Sequence, residues 1–440
     1  MLKITRKNTL LLGTLILTAS GIICRILGFL YRIFLSHSIG AEGLGIVQLT
    51  MPVQTLALAV SASGVQTAIS RLTASRIALK KEKGARQCFF LGTGTALALS
   101  FLCAALLYLN ADFFALEILK EERTLPLLKI LSFTFPLSTL HTCANSYYYA
   151  RKKASVPAVV QLSEQSARIG TTYILYLILT AERKDVTPAI AASGALASEI
   201  AASLALLLAL SFHFQQCTKP LFSVKNIRPI FRELTETSLP LTINRVLLTI
   251  LGGIETILIP QMLLSCGFPK ENALELYGIF TGMALPLILF PSAVTNSASV
   301  LLMPSVAELQ ALGHSSRIRE VVKKAFLYCL VLGSFFSLLF LIFGKQAGIL
   351  LFKNSSAGIY IQSMSFMCPF LYLNTALSSI LNGIGKSGLC LFYSITGILI
   401  RLLFVIFFIP VLGMRGYIYG ILISELTRTF LYFFTFRKIL

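Results

Sequence analysis

Apolar runs long enough to cross a membrane recur from one end of this chain to the other and leave little room for anything else. A bilayer-spanning helix needs roughly 20 apolar residues, because the hydrocarbon core is about 30 Å thick and each residue rises about 1.5 Å. By that measure about twelve spans are expected. They lie near residues 9–35, 44–70, 87–109, 125–150, 157–180, 188–213, 238–264, 274–304, 322–344, 359–381, 388–411 and 414–436. Composition points the same way. Of 440 residues, 56% are hydrophobic and only 13% charged, against about 45–50% and about 25% in soluble domains. So few charges cannot clothe a water-facing surface of this size, which excludes a soluble enzyme. The expected fold class is an all-α polytopic membrane protein.

The remaining charge is lopsided, with 38 Lys and Arg against 18 Asp and Glu, a formal net of +20. In a soluble chain such an excess would suggest nucleic acid. In a membrane protein it collects in cytoplasmic loops. Most of the cations fall in alternate loops: the N-terminus, Arg71–Arg86, Arg151–Lys153, Lys219–Arg232, Arg317–Lys324, Lys386 and Arg437–Lys438. The intervening loops carry acids such as Asp112, Glu117, Glu121 and Asp185. Both termini are therefore expected in the cytoplasm. The first apolar run lacks a small-residue cleavage site and is read as a retained span. The 9 Cys include no C-x-x-C pair, so neither a disulfide framework nor a zinc site is expected. Trp is absent, and Tyr147, Tyr148, Tyr149 and Tyr277 are candidates for the interfacial aromatic belt.

The chain reads as two six-span lobes, 1–213 and 238–440, joined by a cytoplasmic linker at 214–237. The lobes look duplicated. At an offset of 233 residues Gly45 falls on Gly278, Pro136 on Pro369, Lys153 on Lys386 and Arg168 on Arg401. At an offset of 226, Ser198-Glu199 falls on Ser424-Glu425. Even-numbered repeats joined this way are parallel and pseudo-symmetric about an axis along the membrane normal, an arrangement that places a transport site between halves at the midplane.

Charges within the spans are the candidates for that site. A midplane charge costs at least about 2.5–3.5 kcal/mol and needs a polar cavity or a partner. Arg25, Arg32, Arg168, Arg245, Arg401 and Arg428 lie in spans, as do Glu164, Glu199, Glu255 and Glu425. Glu164 and Arg168, four apart, and Glu425 and Arg428, three apart, are placed to neutralise each other on one helix. Arg25, Arg32, Arg245 and Arg401 have no such local partner, which favours a water-filled cationic cavity. Arg25 and Arg32 are two turns apart on one face, with Gly28 between them. Arg32 has the alternative of snorkelling outward. A cationic cavity suits an anionic ligand, and phosphate matches the arginine fork. Glu199, Glu255, Glu164 and Glu425 either hold a coupling cation or balance the arginines. His141 reads either as a packing residue or as a proton relay. Pro52, Pro286, Pro291, Pro304 and Pro369 are expected to interrupt spans 2, 8 and 10. Enzyme signatures such as H-E-x-x-H, G-x-x-x-x-G-K-[ST] and G-x-S-x-G do not occur.

Several stretches resemble a known family. They are Ser20-Gly-Ile-Ile-Cys-Arg25-Ile-Leu-Gly28-Phe-Leu-Tyr-Arg32, then Gly40-Ala-Glu-Gly-Leu-Gly-Ile, Ser63-Gly64-Val-Gln-Thr-Ala-Ile-Ser70, Leu239-Pro-Leu-Thr-Ile-Asn-Arg245 and Ile257-Leu-Ile-Pro260. The chain resembles, from about residue 10 onward, the stage V sporulation protein B group of the multidrug/oligosaccharidyl-lipid/polysaccharide exporter superfamily, with the lipid II flippases a related branch. The resemblance implies a MATE-like fold of two six-helix lobes forming a V that opens alternately to the two membrane faces. It implies transport of an undecaprenyl-pyrophosphate-linked saccharide to the outer leaflet, for peptidoglycan, spore cortex or another envelope polymer. It places Arg25 in the family's pyrophosphate-receiving motif, with Cys24 where the motif has serine, and Arg245 on the arginine of span 7. Many members have two further spans that help hold the lipid tail.

The expectation is therefore a non-enzymatic flippase whose substrate-binding residues are Arg25, Arg32, Arg168, Arg245 and Arg401. No cofactor is expected, with coupling to Na+ or H+ left open. Membrane lipids and envelope-assembly proteins are the further partners, and nucleic acid is not one. Two alternatives stand beside it. A cation-coupled multidrug exporter would favour acidic cavity residues, and a membrane scaffold would transport nothing.

Overall fold

The computed structural model describes residues 6–215 and 227–439, and among them every regular element is a helix. In chain order these are α1 (Arg6–Ser38), α2 (Gly40–Ala78), α3 (Glu82–Leu109), α4 (125–150), α5 (Ser155–Ala181), α6 (Ala189–Gln215), α7 (Ile227–Ser265), α8 (Lys270–Leu289), α9 (Ser292–Ala311), α10 (Ser315–Phe352), α11 (Ser355–Gly383), α12 (Ser387–Phe407) and α13 (Met414–Ile439). Nine helices among the described residues are long and apolar enough to cross a membrane. Helices also occupy 125–150, Ser155–Ala181 and Met414–Ile439. The segment expected as one span at 274–304 is shared by α8 and α9, which part at Phe290–Pro291. Much of the linker expected at 214–237, residues 216–226, lies outside the described residues.

The helix breaks follow backbone chemistry. Proline lacks the N–H that would bond to the carbonyl four residues earlier. Pro136 cannot donate to Ser132, and α4 is broken at Phe133. Pro369 cannot donate to Ser365, and α11 tightens into a 3₁₀ turn over Ser365–Met367. The two breaks coincide at the 233-residue offset. Pro286 follows a π-helical turn at Ile279–Ala284. Pro52 does not break its span as expected: the helix runs through it, and the π-helical turn comes later, at Ala59–Ser63.

The chain forms two compact units. One takes in residues up to Tyr31 together with Leu49–Gly253, and the other Arg32–Gln48 with Ile254–Leu440. In the first unit α3 packs on α4, α4 on α6, and α5 on α6. In the second, α10 packs on α11, α11 on α13, and α12 on α13. The sequence repeat is thus a packing repeat. The first unit's core joins Ile69, Phe89, Cys143, Ala144, Tyr147, Tyr148, Leu206 and Leu234. Tyr147, Tyr148 and Tyr277 are buried, so they are core residues rather than belt residues, while Tyr149 is exposed. The Tyr147 ring lies 4.7 Å from that of Phe89, and its hydroxyl accepts from Arg151 Nη1 at 3.0 Å. A satisfied hydroxyl lets the ring stay inside.

The outward faces are apolar. On α10 Leu327, Val331, Phe335, Leu338 and Ile342 are all exposed, at the three-to-four residue spacing of one helix face. Such a stripe in water would aggregate, and in a bilayer it is the solvated surface. Between helices, small residues allow backbone contact. A Cβ at Gly45 would lie 2.3 Å from the Leu274 carbonyl oxygen, and one at Gly278 would lie 1.9 Å from that of Ala41. Ala41 and Leu274 are themselves partners at the 233-residue offset, so this crossing, inside the second unit, has local two-fold symmetry.

Candidate functional site

Each unit holds a polar cluster built on corresponding helices, half-buried in the first unit and more deeply buried in the second. In the first unit Arg168 on α5 donates from Nη2 to Glu164 Oε1 at 2.8 Å, one turn earlier. Its Nε and Nη2 also reach Ser198 Oγ on α6, at 3.3 and 3.1 Å. The next residue, Glu199, places Oε2 2.7 Å from His141 Nδ1 on α4. Below this, Thr172 Oγ1 donates to the Arg168 carbonyl at 2.9 Å and lies 3.1 Å from the Tyr31 hydroxyl of α1. Cys24 is buried and directs Sγ to the Gln161 carbonyl at 3.6 Å. Cys24 and Tyr31, seven apart, therefore face α5. Arg25, turned by about 100° from Cys24, is exposed.

In the second unit Arg401 on α12 holds Glu255 on α7 with both arms of its fork, Nε to Oε1 at 2.6 Å and Nη2 to Oε2 at 2.9 Å. Tyr417 on α13 donates to Glu255 Oε1 at 2.9 Å. Glu425 on α13 accepts from Arg428 Nη1 at 2.9 Å and from Asn374 Nδ2 on α11 at 2.8 Å. Thr429 donates to Asn374 Oδ1 at 2.9 Å, so the amide is satisfied at both ends. Arg401 Nη1 approaches Glu425 Oε1 at 4.0 Å, joining the two pairs. Glu255 and Glu425 are 4% and 3% exposed. Carboxylates this deep require partners on every side, because an isolated buried charge costs several kcal/mol.

These contacts sort the expected site residues. Arg168, Arg401 and Arg428 are committed to carboxylates. For Arg401 this corrects the expectation of an arginine without a partner: its partner lies 146 residues away in sequence, where helix-local spacing cannot reveal it. Glu164 and Arg168, and Glu425 and Arg428, pair as their spacing implied. Glu199 pairs with His141, and Glu255 with Arg401. Arg25 and Arg245 are exposed within apolar helices, and among the described residues no ion pair holds either. Arg32 is half-buried and engaged in contacts of its own. A Cβ at Gly28 would meet nothing within 4 Å, so the α1 face beside Arg25 is open.

Asn374, Tyr417 and Thr429 escaped the sequence reading. One signal was available for Asn374, because the 233-residue offset that pairs Arg168 with Arg401 also lands His141 on Asn374.

Residues 10–310 match the family described as "Polysaccharide biosynthesis protein". The chain belongs to this family. Along nearly its whole length it is also similar to "Stage V sporulation protein B" of Bacillus subtilis (strain 168). The two are 28% identical over 442 residues, covering 99% of this chain and 85% of that protein. Among solved structures it is similar to the inward-facing conformation of a multidrug resistance MATE family transporter of the MOP superfamily, with a TM-score of 0.69, 16% identity and 97% of both chains covered. The outward-facing conformation of such a transporter gives a TM-score of 0.65 at 17% identity, covering 97% of this chain and 94% of that one. This polysaccharide biosynthesis family protein therefore has a MATE-like fold, and its long apolar helices make it a multi-pass membrane protein.

Proposed function

We propose that the protein flips a lipid-linked saccharide carrying a pyrophosphate from the inner to the outer leaflet of a bacterial cytoplasmic membrane, by alternating access, with both termini in the cytoplasm. The saccharide would feed cell-envelope, peptidoglycan or spore-cortex assembly. The carrying observation is the contrast among intramembrane arginines. Arg168, Arg401 and Arg428 are neutralised by carboxylates, whereas Arg25 and Arg245 stand exposed on α1 and α7. Facing lipid, each would cost at least about 2.5–3.5 kcal/mol. Facing a water-filled cavity, each offers a bidentate fork to a phosphate. Family membership and the similarity to a sporulation protein support this substrate class. The multidrug-exporter alternative needs carboxylates free for a cationic drug, and Glu255 and Glu425 are occupied by arginines.

The test is translocation of an undecaprenyl-pyrophosphate-linked saccharide in proteoliposomes. Arg25→Ala and Arg245→Ala are each expected to lower the rate by at least tenfold while leaving the melting profile unchanged. Undiminished flipping by both would refute the assigned roles.

A further inference from the structure

The two polar clusters correspond, and their charge-bearing residues differ at four pairs of positions. At the 233-residue offset His141 becomes Asn374 and Glu164 becomes Gly397. At the 226-residue offset that pairs Glu199 with Glu425, Ala202 becomes Arg428. The geometry tracks these exchanges. His141 Nδ1 lies 2.7 Å from Glu199 Oε2, and Asn374 Nδ2 lies 2.8 Å from Glu425 Oε2. Where the first unit has the Glu164 side chain, the second has a glycine with an arginine over it. A Cβ at Gly397 would lie 2.7 Å from Arg428 Cδ. At the 233-residue offset Ile22 becomes Glu255, so each cluster has one carboxylate that the other lacks, Glu164 beside Arg168 and Glu255 beside Arg401, and only the second gains a guanidinium.

Charge balance then separates the copies. In the second, Glu255 and Glu425 face Arg401 and Arg428, two against two, and the amide of Asn374 carries no charge. In the first, Glu164 and Glu199 face Arg168 alone, with His141 as the other member. One negative charge is left over unless a proton joins. Other elements do not make up the difference. The charged groups facing His141 are Glu199 from α6 and Glu164 and Arg168 from α5. Against α4, α2 presents Ser61, 3.3 Å from Thr139, and α3 presents the neutral Thr93 beside Cys143. Glu199 is buried at 7% exposure, and a surplus charge on its carboxylate is costly there.

We propose that the His141–Glu199–Glu164–Arg168 cluster is a binding site for one exchangeable proton, and that the second unit carries the same site locked by Arg428 in the proton's place. Asparagine donates the same hydrogen bond as protonated histidine but cannot release it. A proton binds and leaves the first cluster while the second keeps a fixed charge, so the duplicated halves have different chemical tasks. This reading does not rest on the identity of the transported substrate and is tested without one.

The experiment is ¹⁵N NMR of the imidazole of His141 in histidine-labelled full-length protein in bilayers, assigned by loss of its signal in His141→Asn, between pH 5 and 9. The ring is expected to pass between its charged and neutral signatures in that range. Glu164→Gln, which removes the surplus charge, is expected to change the proton affinity at least tenfold. A ring in one charge state throughout, with the same signature in Glu164→Gln, would overturn the proposal. A second measurement covers instability of the glutamine variant. The pH profile of thermal unfolding of wild-type protein, followed by circular dichroism, is expected to contain a step that the transplant His141→Asn/Ala202→Arg removes. Superimposable profiles, or a wild-type step that appears only with added Na+, would also overturn it.

Discussion

Glu255→Ala isolates the energetic role of the second cluster. The substitution removes both acceptors of the Arg401 fork, at 2.6 and 2.9 Å, and the acceptor of the Tyr417 hydroxyl at 2.9 Å. Truncating one member of a buried ion pair costs about 3–5 kcal/mol, because the other charge stays buried and uncompensated. Leaving a buried hydroxyl without its acceptor adds about 1–3 kcal/mol. Against this, Arg401 retains Glu425, whose Oε1 is already 4.0 Å from Nη1 and can close in. The net loss expected is therefore near the lower bound of the pair term, about 3 kcal/mol. The partner variant Arg401→Met leaves Glu255 buried with only Tyr417 and should cost a similar amount. The double variant Glu255→Ala/Arg401→Met removes both charges and should recover at least half of the summed loss. The assay is reversible unfolding in mixed micelles with increasing SDS, read by circular dichroism. Single variants that each lose less than about 1 kcal/mol, the value of an exposed pair, would refute the reasoning. So would a double variant whose loss equals the sum of the singles.

Two further expectations concern packing and access. Gly278→Ala should destabilise strongly and lower the yield of folded protein, because its Cβ would sit 1.9 Å from the Ala41 carbonyl oxygen, while Gly28→Ala, with nothing within 4 Å, should be silent in the same micelle unfolding assay. Arg25→Cys and Arg245→Cys should react in intact membranes with a charged, membrane-impermeant methanethiosulfonate, whereas Val331→Cys, on the apolar stripe of α10, should not. Equal protection of all three would remove the water-filled cavity.

The fold was legible because membrane spans announce themselves: backbone groups in lipid must bond internally, so each long apolar run becomes a helix. The duplication was also legible, since Pro136 and Pro369 break their helices at matching points. The pairing of Glu164 with Arg168 and of Glu425 with Arg428 followed from helix periodicity. The pairings of Arg401 with Glu255 and of His141 with Glu199 did not, because they join different helices. Nothing local in α7 or α12 says which faces meet. Tyrosine misled for a related reason. Its amphipathic ring suits an interface, but Tyr147 finds Arg151 for its hydroxyl and packs inward. Pro52 misled because a helix can run through a proline when the neighbouring turns adjust. Exposure of Arg25 against burial of Cys24, one residue apart, depends on where α5 lies, which the α1 sequence alone does not state.

The glycine crossing has a consequence for genetics. At most tight contacts an enlarged side chain is rescued by trimming the side chain opposite, and such pairs can drift together. Here the atom opposite Gly278 is the Ala41 carbonyl oxygen, and the atom opposite Gly45 is that of Leu274. A peptide oxygen cannot be trimmed by any substitution. Second-site suppressors of a change at either glycine should therefore not arise at the other. Each position is constrained separately, even though the two were matched in sequence.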